Sequence, residues 1–168
     1  QSPRWQPESL ISNGDFSGGF NSATGIIPGW SHMGDAGQAQ AQQAIVTDGS
    51  LVLQLGGTGG SWRMHNRIYI PANAVGVSLR IKVDQSTPDS TDWPKLRLRF
   101  GDPASGTIFE KPISSLGSGW VSIHAPIPQS LRGNTLPFAI ELNSQTPVPG
   151  SSPVIAKLLV DDVAIWTS

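Results

Sequence analysis

The chain has 168 residues, 11 basic and 12 acidic, with a formal net charge of −1; the length suits one domain, and no global charge attracts nucleic acid or an anionic membrane. Nineteen glycines and 14 prolines divide it into short segments, which excludes a helical bundle or coiled coil, and no run approaches the ~18 apolar residues of a membrane span. The absence of cysteine removes disulfides, thiol nucleophiles and thiolate metal sites, and three scattered histidines (His32, His65, His124) argue against a catalytic zinc.

Residues 1–9 read as a leader or linker, and 10–168 as a single domain. The chain opens at Gln1 with neither Met nor a charged-then-apolar leader, as expected of a mature secreted product or a piece of a longer protein. From there period-2 alternation predicts strands near 10–16, 38–46, 50–56, 62–70, 75–84, 95–102, 107–114, 120–127, 137–145 and 155–166. The alternation is clearest in Leu51-Val52-Leu53-Gln54-Leu55, Val77-Ser78-Leu79-Arg80-Ile81-Lys82-Val83, Leu96-Arg97-Leu98-Arg99-Phe100 and Phe138-Ala139-Ile140-Glu141-Leu142. The Ala/Gln-rich segment from Ala36 to Ala44 lacks an apolar stripe and is expected as an irregular edge strand. Gly-Gly-Thr-Gly-Gly-Ser at 56–61 lacks the Lys and helix of a phosphate loop and is expected as a strand connection.

Many short strands at roughly ten-residue spacing predict an all-β, two-sheet antiparallel sandwich of jelly-roll type. One sheet is expected to hold 50–56, 75–84, 120–127 and 155–166. The other is expected to hold 62–70, 137–145, 95–102 and 107–114, side by side in that order.

Specific residues add a family likeness. Leu10-Ile11-Ser12-Asn13-Gly14-Asp15-Phe16, Ile27-Pro28-Gly29-Trp30, Gly119-Trp120-Val121 and Leu159-Val160-Asp161-Asp162-Val163-Ala164-Ile165 resemble, in order and spacing, the landmarks of carbohydrate-binding modules of the family 4/9/22 type. The resemblance implies a jelly roll that binds a polysaccharide chain on one concave sheet, as a secreted, extracellular or periplasmic appendage of a glycoside hydrolase or other surface protein. It also implies Trp30 and Trp120 packing on the core and a structural calcium near the chain ends, with Asp161 and Asp15 as ligands. Ser17 stands where the family often has Glu, which removes one hard anionic ligand. The metal-free alternative is that Asp161 and Asp162 hydrogen-bond the amino-terminal segment.

The expected strand order places the polar half of a sugar site. Strands 62–70 and 95–102 flank 137–145 and are therefore parallel, so Trp62 and Trp93 share one end of the sheet about 10 Å apart, a separation that suits a sugar ring stacked on indole. Alternation puts Arg63, His65, Arg67 and Tyr69 on the wet face of one strand, Glu141 and Asn143 on the middle one, and Arg97 and Arg99 on the third. Arginine forks, an acid and an amide together supply donors and acceptors for hydroxyls or a uronate. No nucleophile with its base, and no facing pair of carboxylates, stands out. The expected function is therefore non-catalytic carbohydrate binding. The alternatives are a structural jelly roll of a virion or surface assembly, or a small glycanase or lyase using Glu141.

Overall fold

The computed structural model describes residues 4–5, 11, 13–21, 23–24, 26–34, 43–56, 61–86, 94–143 and 154–168. Eleven described strands follow in chain order: β1 (Arg4–Trp5), β2 (Ser31–Gly34), β3 (Gln43–Thr47), β4 (Ser50–Gly56), β5 (Ser61–Tyr69), β6 (Ala74–Ser86), β7 (Lys95–Phe100), β8 (Thr107–Pro112), β9 (Trp120–Pro126), β10 (Thr135–Asn143) and β11 (Val154–Thr167). They form two antiparallel sheets, ordered β3-β4-β11-β6-β9, with β1 also on β11, and β2-β5-β10-β7-β8. The expected sandwich, with its division of eight strands between two sheets, is the one found. No described helix is long and apolar enough to cross a membrane.

Alternation explains the layering. Leu51, Leu53 and Leu55 of β4, Leu79 and Ile81 of β6, and Leu158 and Val160 of β11 are buried, as are Met64 and Ile68 of β5 and Ile140 and Leu142 of β10. Because successive side chains leave a strand on opposite faces, each run delivers one row to the core and one to the surface. Each such side chain contributes about 1.5–3 kcal/mol on burial. Phe100 and Phe138, from neighbouring strands of the second sheet, meet with ring centroids 5.0 Å apart. Between β3 and β4, Asp48 and Gly49 both take positive φ (53° and 79°), the backbone of a two-residue hairpin turn.

Four expectations change. First, the described residues of 10–16 form a turn rather than a strand. Asn13 and Phe16 have φ of 55° and 57°. The Asn13 side chain accepts from the Gly18 N–H (2.9 Å) and donates to the Pro28 carbonyl (2.8 Å). The Trp30 indole N–H donates to the Asn13 carbonyl at 3.0 Å. Local side-chain bonding of Asn-Gly-Asp has overridden the apolar alternation. Second, two segments absent from the sequence reading are ordered: β2, and a single helical turn at Pro103–Gly106 whose first N–H groups are capped by Asp102. Third, Arg4 and Trp5, expected in the leader, pair with Thr167 and Trp166 of β11. Fourth, Trp30 is buried beside Phe16, 5.4 Å between centroids, but Trp120 is 39% exposed with the Arg80 guanidinium 4.8 Å above its ring. The expected strand residues 38–42 lie outside the described residues.

Two motifs of the sequence meet at β11. Asp161 pairs with Arg80 and Ala164 with Ser78, so Asp162 and Val163 both face Leu79 across a bulge, and Asp162 takes a φ of 52°. Val163 N–H then donates to the Gly14 carbonyl at 2.9 Å. Thus the opening and closing motifs, distant in sequence, are joined by the main chain.

Candidate functional site

The outer face of the second sheet is built by register. β10 lies between β5 and β7, with Glu141 opposite both Arg63 and Arg97, and Arg97 opposite Glu110 on β8. This gives one cross-strand row, Arg63–Glu141–Arg97–Glu110, in which charge alternates. The next row carries His65, Ala139 and Arg99. The small Ala139 leaves room for Arg99 to lean toward Glu141. Pairing along β5 is unbroken from Ser61 to Tyr69, so Arg63, His65, Arg67 and Tyr69 share this face, as expected from the alternation. β5 and β7 begin level, since Ser61 and Lys95 both oppose Asn143.

Glu141 is the hub, and it is only 3% exposed. One carboxylate oxygen lies 3.2 Å from Arg97 Nη1 and accepts from Asn143 Nδ2 at 3.0 Å. The other lies 3.3 Å from Arg99 Nη2 and 3.6 Å from Arg63 Nη1. A buried carboxylate is tolerated only when paired and hydrogen-bonded, and three guanidiniums with an amide meet that demand. Arg97 Nε also donates to Glu110 at 2.6 Å, and Lys95 lies 3.9 Å from the same carboxylate. Arg99 Nη1 donates to the Gly101 carbonyl, and its Nε is buried without a hydrogen-bond partner among the described residues.

His65 accepts at Nε2 from Arg63 Nε, 3.0 Å away, which places it in its neutral form. Burial pushes its pKa below the ordinary 6.5, the Arg63 and Arg99 charges push it further, and Glu141 opposes them. Arg67 and Tyr69 are exposed at the far end of β5.

Arg63, His65, Arg97, Arg99, Glu141 and Asn143 therefore come together as expected, with a different division of labour from simple exposure, while Arg67 and Tyr69 stand apart on the same face. Glu141 orders the arginines from beneath, and the arginines and Asn143 form the upper layer. Trp62, expected at this site, pairs through its backbone with the buried Leu142 and with Gly34, so its position belongs to the inner row of Met64 and Ile68 rather than to this face, because the alternation along β5 is unbroken; Trp93 lies outside the described residues. Two participants were missed. Lys95 has a visible signal, sitting two residues before Arg97 on an alternating strand. Glu110 has none, because Ile108-Phe109-Glu110-Lys111 does not alternate and its register is fixed only by pairing with β7.

The two expected calcium ligands are placed differently. Asp15 accepts the Ser17 N–H at 3.0 Å, which lowers its pKa, and it lines a surface pocket of about 410 Å³ on the outer face of the first sheet with Arg80, Ser122, His124 and Asp162. Asp161 turns toward β4, where Ser50 Oγ donates to it at 3.5 Å, and it accepts the Asp162 N–H at 2.8 Å. Burial raises its pKa; the Asp162 N–H opposes this, the Asp162 charge adds to the rise, and Arg80 and Ser50 lower it less. Arg80 itself is bonded to Asp162 at 3.0 Å.

No protein-family model and no curated protein matches the sequence. Solved structures do match the fold. TmCBM61, solved in complex with β-1,4-galactotriose, aligns with a TM-score of 0.55 at 13% identity over 94% of this chain and 97% of its own. The non-crystalline cellulose specific module CBM28 aligns with a TM-score of 0.57 at 15% identity, covering 92% and 93%. The K3 adhesin domain of Lys-gingipain from Porphyromonas gingivalis aligns with a TM-score of 0.57 at 10% identity, covering 93% and 98%. The chain thus shares, over nearly its whole length, the jelly-roll β-sandwich fold of these three structures, two of them carbohydrate-binding modules.

Proposed function

We propose that the protein is a non-catalytic glycan-binding module that takes its ligand on the outer face of the β5-β10-β7 sheet. The observation that carries this is the set of planar donors held in fixed positions on an open sheet. Arg63, Arg97, Arg99 and Asn143 are fastened to one buried carboxylate, so little side-chain freedom remains to be lost on binding. Guanidinium forks suit the paired oxygens of a sugar, and Tyr69, 54% exposed on the same face, offers a ring to its C–H groups. Trp93, two residues before Lys95 in the sequence, would supply stacking near the level starts of β5 and β7. Both oxygens of Glu141 are engaged by cations and an amide, an arrangement that favours scaffold over acid or base, so a glycanase role is not preferred. Such a module would work outside the cytoplasm, tethering an attached enzyme or surface protein to a glycan.

Affinity electrophoresis against a polysaccharide panel tests the reading. Retardation by at least one glycan, weakened in Arg63→Gln and Arg97→Gln, is expected. Self-association with no response to any glycan would replace it with an assembly role.

We further propose a structural calcium at Asp161, which with Ser50 would supply two of its six to eight oxygen ligands, main-chain carbonyls and water supplying the rest. Asp161 has a desolvated carboxyl beside a Ser50 hydroxyl, all hard oxygen, and burial penalises its charge. Calcium there would supply the positive charge that offsets this penalty. Asp15, which faces the other pocket, is not part of this proposal. Adding Ca²⁺ to EDTA-treated protein should raise Tm, Asp161→Asn should lose the response, and Asp15→Asn should keep it. No rise in the wild type would remove the metal from the account.

A further inference from the structure

We infer that the ligand of this face is an anionic polysaccharide, one carrying carboxylate or sulfate groups; the inference rests on the glycan-binding reading above. Charge is segregated in this molecule. The described residues of the face include five of the chain's 11 basic residues (Arg63, Arg67, Lys95, Arg97, Arg99) but two of its 12 acidic ones (Glu110, Glu141). Five against two is a formal +3, on a chain whose total is −1. The other described residues carry six bases and six acids, which balance, so the described excess of positive charge lies on this face.

Depth sharpens the asymmetry. Glu141 has a side chain 4% exposed, whereas the Arg63, Lys95 and Arg97 side chains lie at 18–23% and Arg67 is exposed. Glu141 is thus buried under the cations, while Glu110, its side chain 33% exposed, stays open to solvent beside Arg97, and a ligand above Glu141 meets guanidiniums first. The field is felt by His65, whose protonated form is disfavoured by Arg63 and Arg99 more than Glu141 restores it. A neutral sugar could use these donors only as hydrogen bonds. A carboxylate or sulfate would take charge-assisted, paired bonds from the same forks and relieve the mutual repulsion of the cations.

The test uses the full chain and polymers matched in backbone: polygalacturonate against its methyl ester, and dextran sulfate against dextran. At least one anionic polymer should bind about tenfold or more tightly than its neutral match, a difference of about 1.4 kcal/mol, and added salt should erode the preference. The two pairs separate carboxylate from sulfate recognition. Arg67→Gln, at an exposed position, should weaken anionic binding several-fold without loss of folding. Glu110→Gln should tighten it, a gain that misfolding cannot imitate. Equal binding to charged and neutral members would overturn the inference while leaving the glycan reading intact. Single-stranded DNA binding as tightly as the anionic polysaccharides would also overturn it, as an unselective polyanion effect. Silence toward every glycan, charged or neutral, would remove both.

Discussion

Glu141 shows what one residue costs and organises. Its three arginines and Asn143 compensate its burial, so removing the charge leaves guanidiniums crowded without their counter-ion. Glu141→Gln should therefore lower unfolding stability by roughly 2–4 kcal/mol in urea titration. By contrast Arg80→Gln, which breaks the exposed pair with Asp162, should cost under about 1 kcal/mol. His65 adds a pH signature. Its native pKa lies below 6.5, so the unfolded chain binds the proton more readily. Its share of stability is complete above pH 6.5 and is lost as pH falls below it, until the native group also titrates. His65→Gln should flatten that part of the Tm-against-pH curve; an unchanged slope would mean that other groups carry it. Among these residues the sequence disclosed which side chains face outward, through alternation, but not that Glu141 lies beneath the others, since depth depends on arginines from the two neighbouring strands, β5 and β7, closing over it.

Among the elements, the junction of the opening turn with the β11 bulge is the most constrained. A Cβ on Gly14 would stand 2.2 Å from the Val163 carbonyl oxygen, and that atom belongs to backbone that cannot step aside. Gly14→Ala should destabilise by about 1–3 kcal/mol, with the loss seen in thermal unfolding and an altered Trp30 fluorescence, because Trp30 is fastened to Asn13 next door. Wild-type stability in this variant would mean that the junction is dispensable. Here the motif Asn13-Gly14-Asp15-Phe16 was visible in the sequence, yet it was read as a strand. Leu10 and Phe16 fit period 2 although Ile11 does not, and the contacts with Pro28, Trp30 and Val163 hold the segment as a turn. The β3–β4 hairpin went the other way: Asp48-Gly49 between alternating runs carries its own turn chemistry, and the structure has no need of distant contacts to fix it.

At the scale of the whole molecule, two strands parallel to one another begin level at one end of a sheet, with Trp62 at the start of one and Trp93 just before the other. Position 62 pairs with the buried Leu142 and so belongs to the inner row; if Trp93 flanks the bound glycan, Trp93→Ala should weaken binding by about 1–3 kcal/mol with folding retained, measured by calorimetry on the tightest ligand of the panel. Normal binding by the folded variant would move the stacking surface to Tyr69. By itself the sequence determined the all-β class, the approximate positions of the eight main strands and their division between sheets. Alternation, turn residues and strand spacing are local, and they suffice to say which face of each strand is dry. The tertiary structure alone decided that Glu110 joins the arginine face, that Asp15 and Asp161 point to different places, and that Trp120 is on the surface. Each of these depends on the register between strands distant in the chain, and register is set by the mutual fit of two whole faces rather than by any residue's own preference.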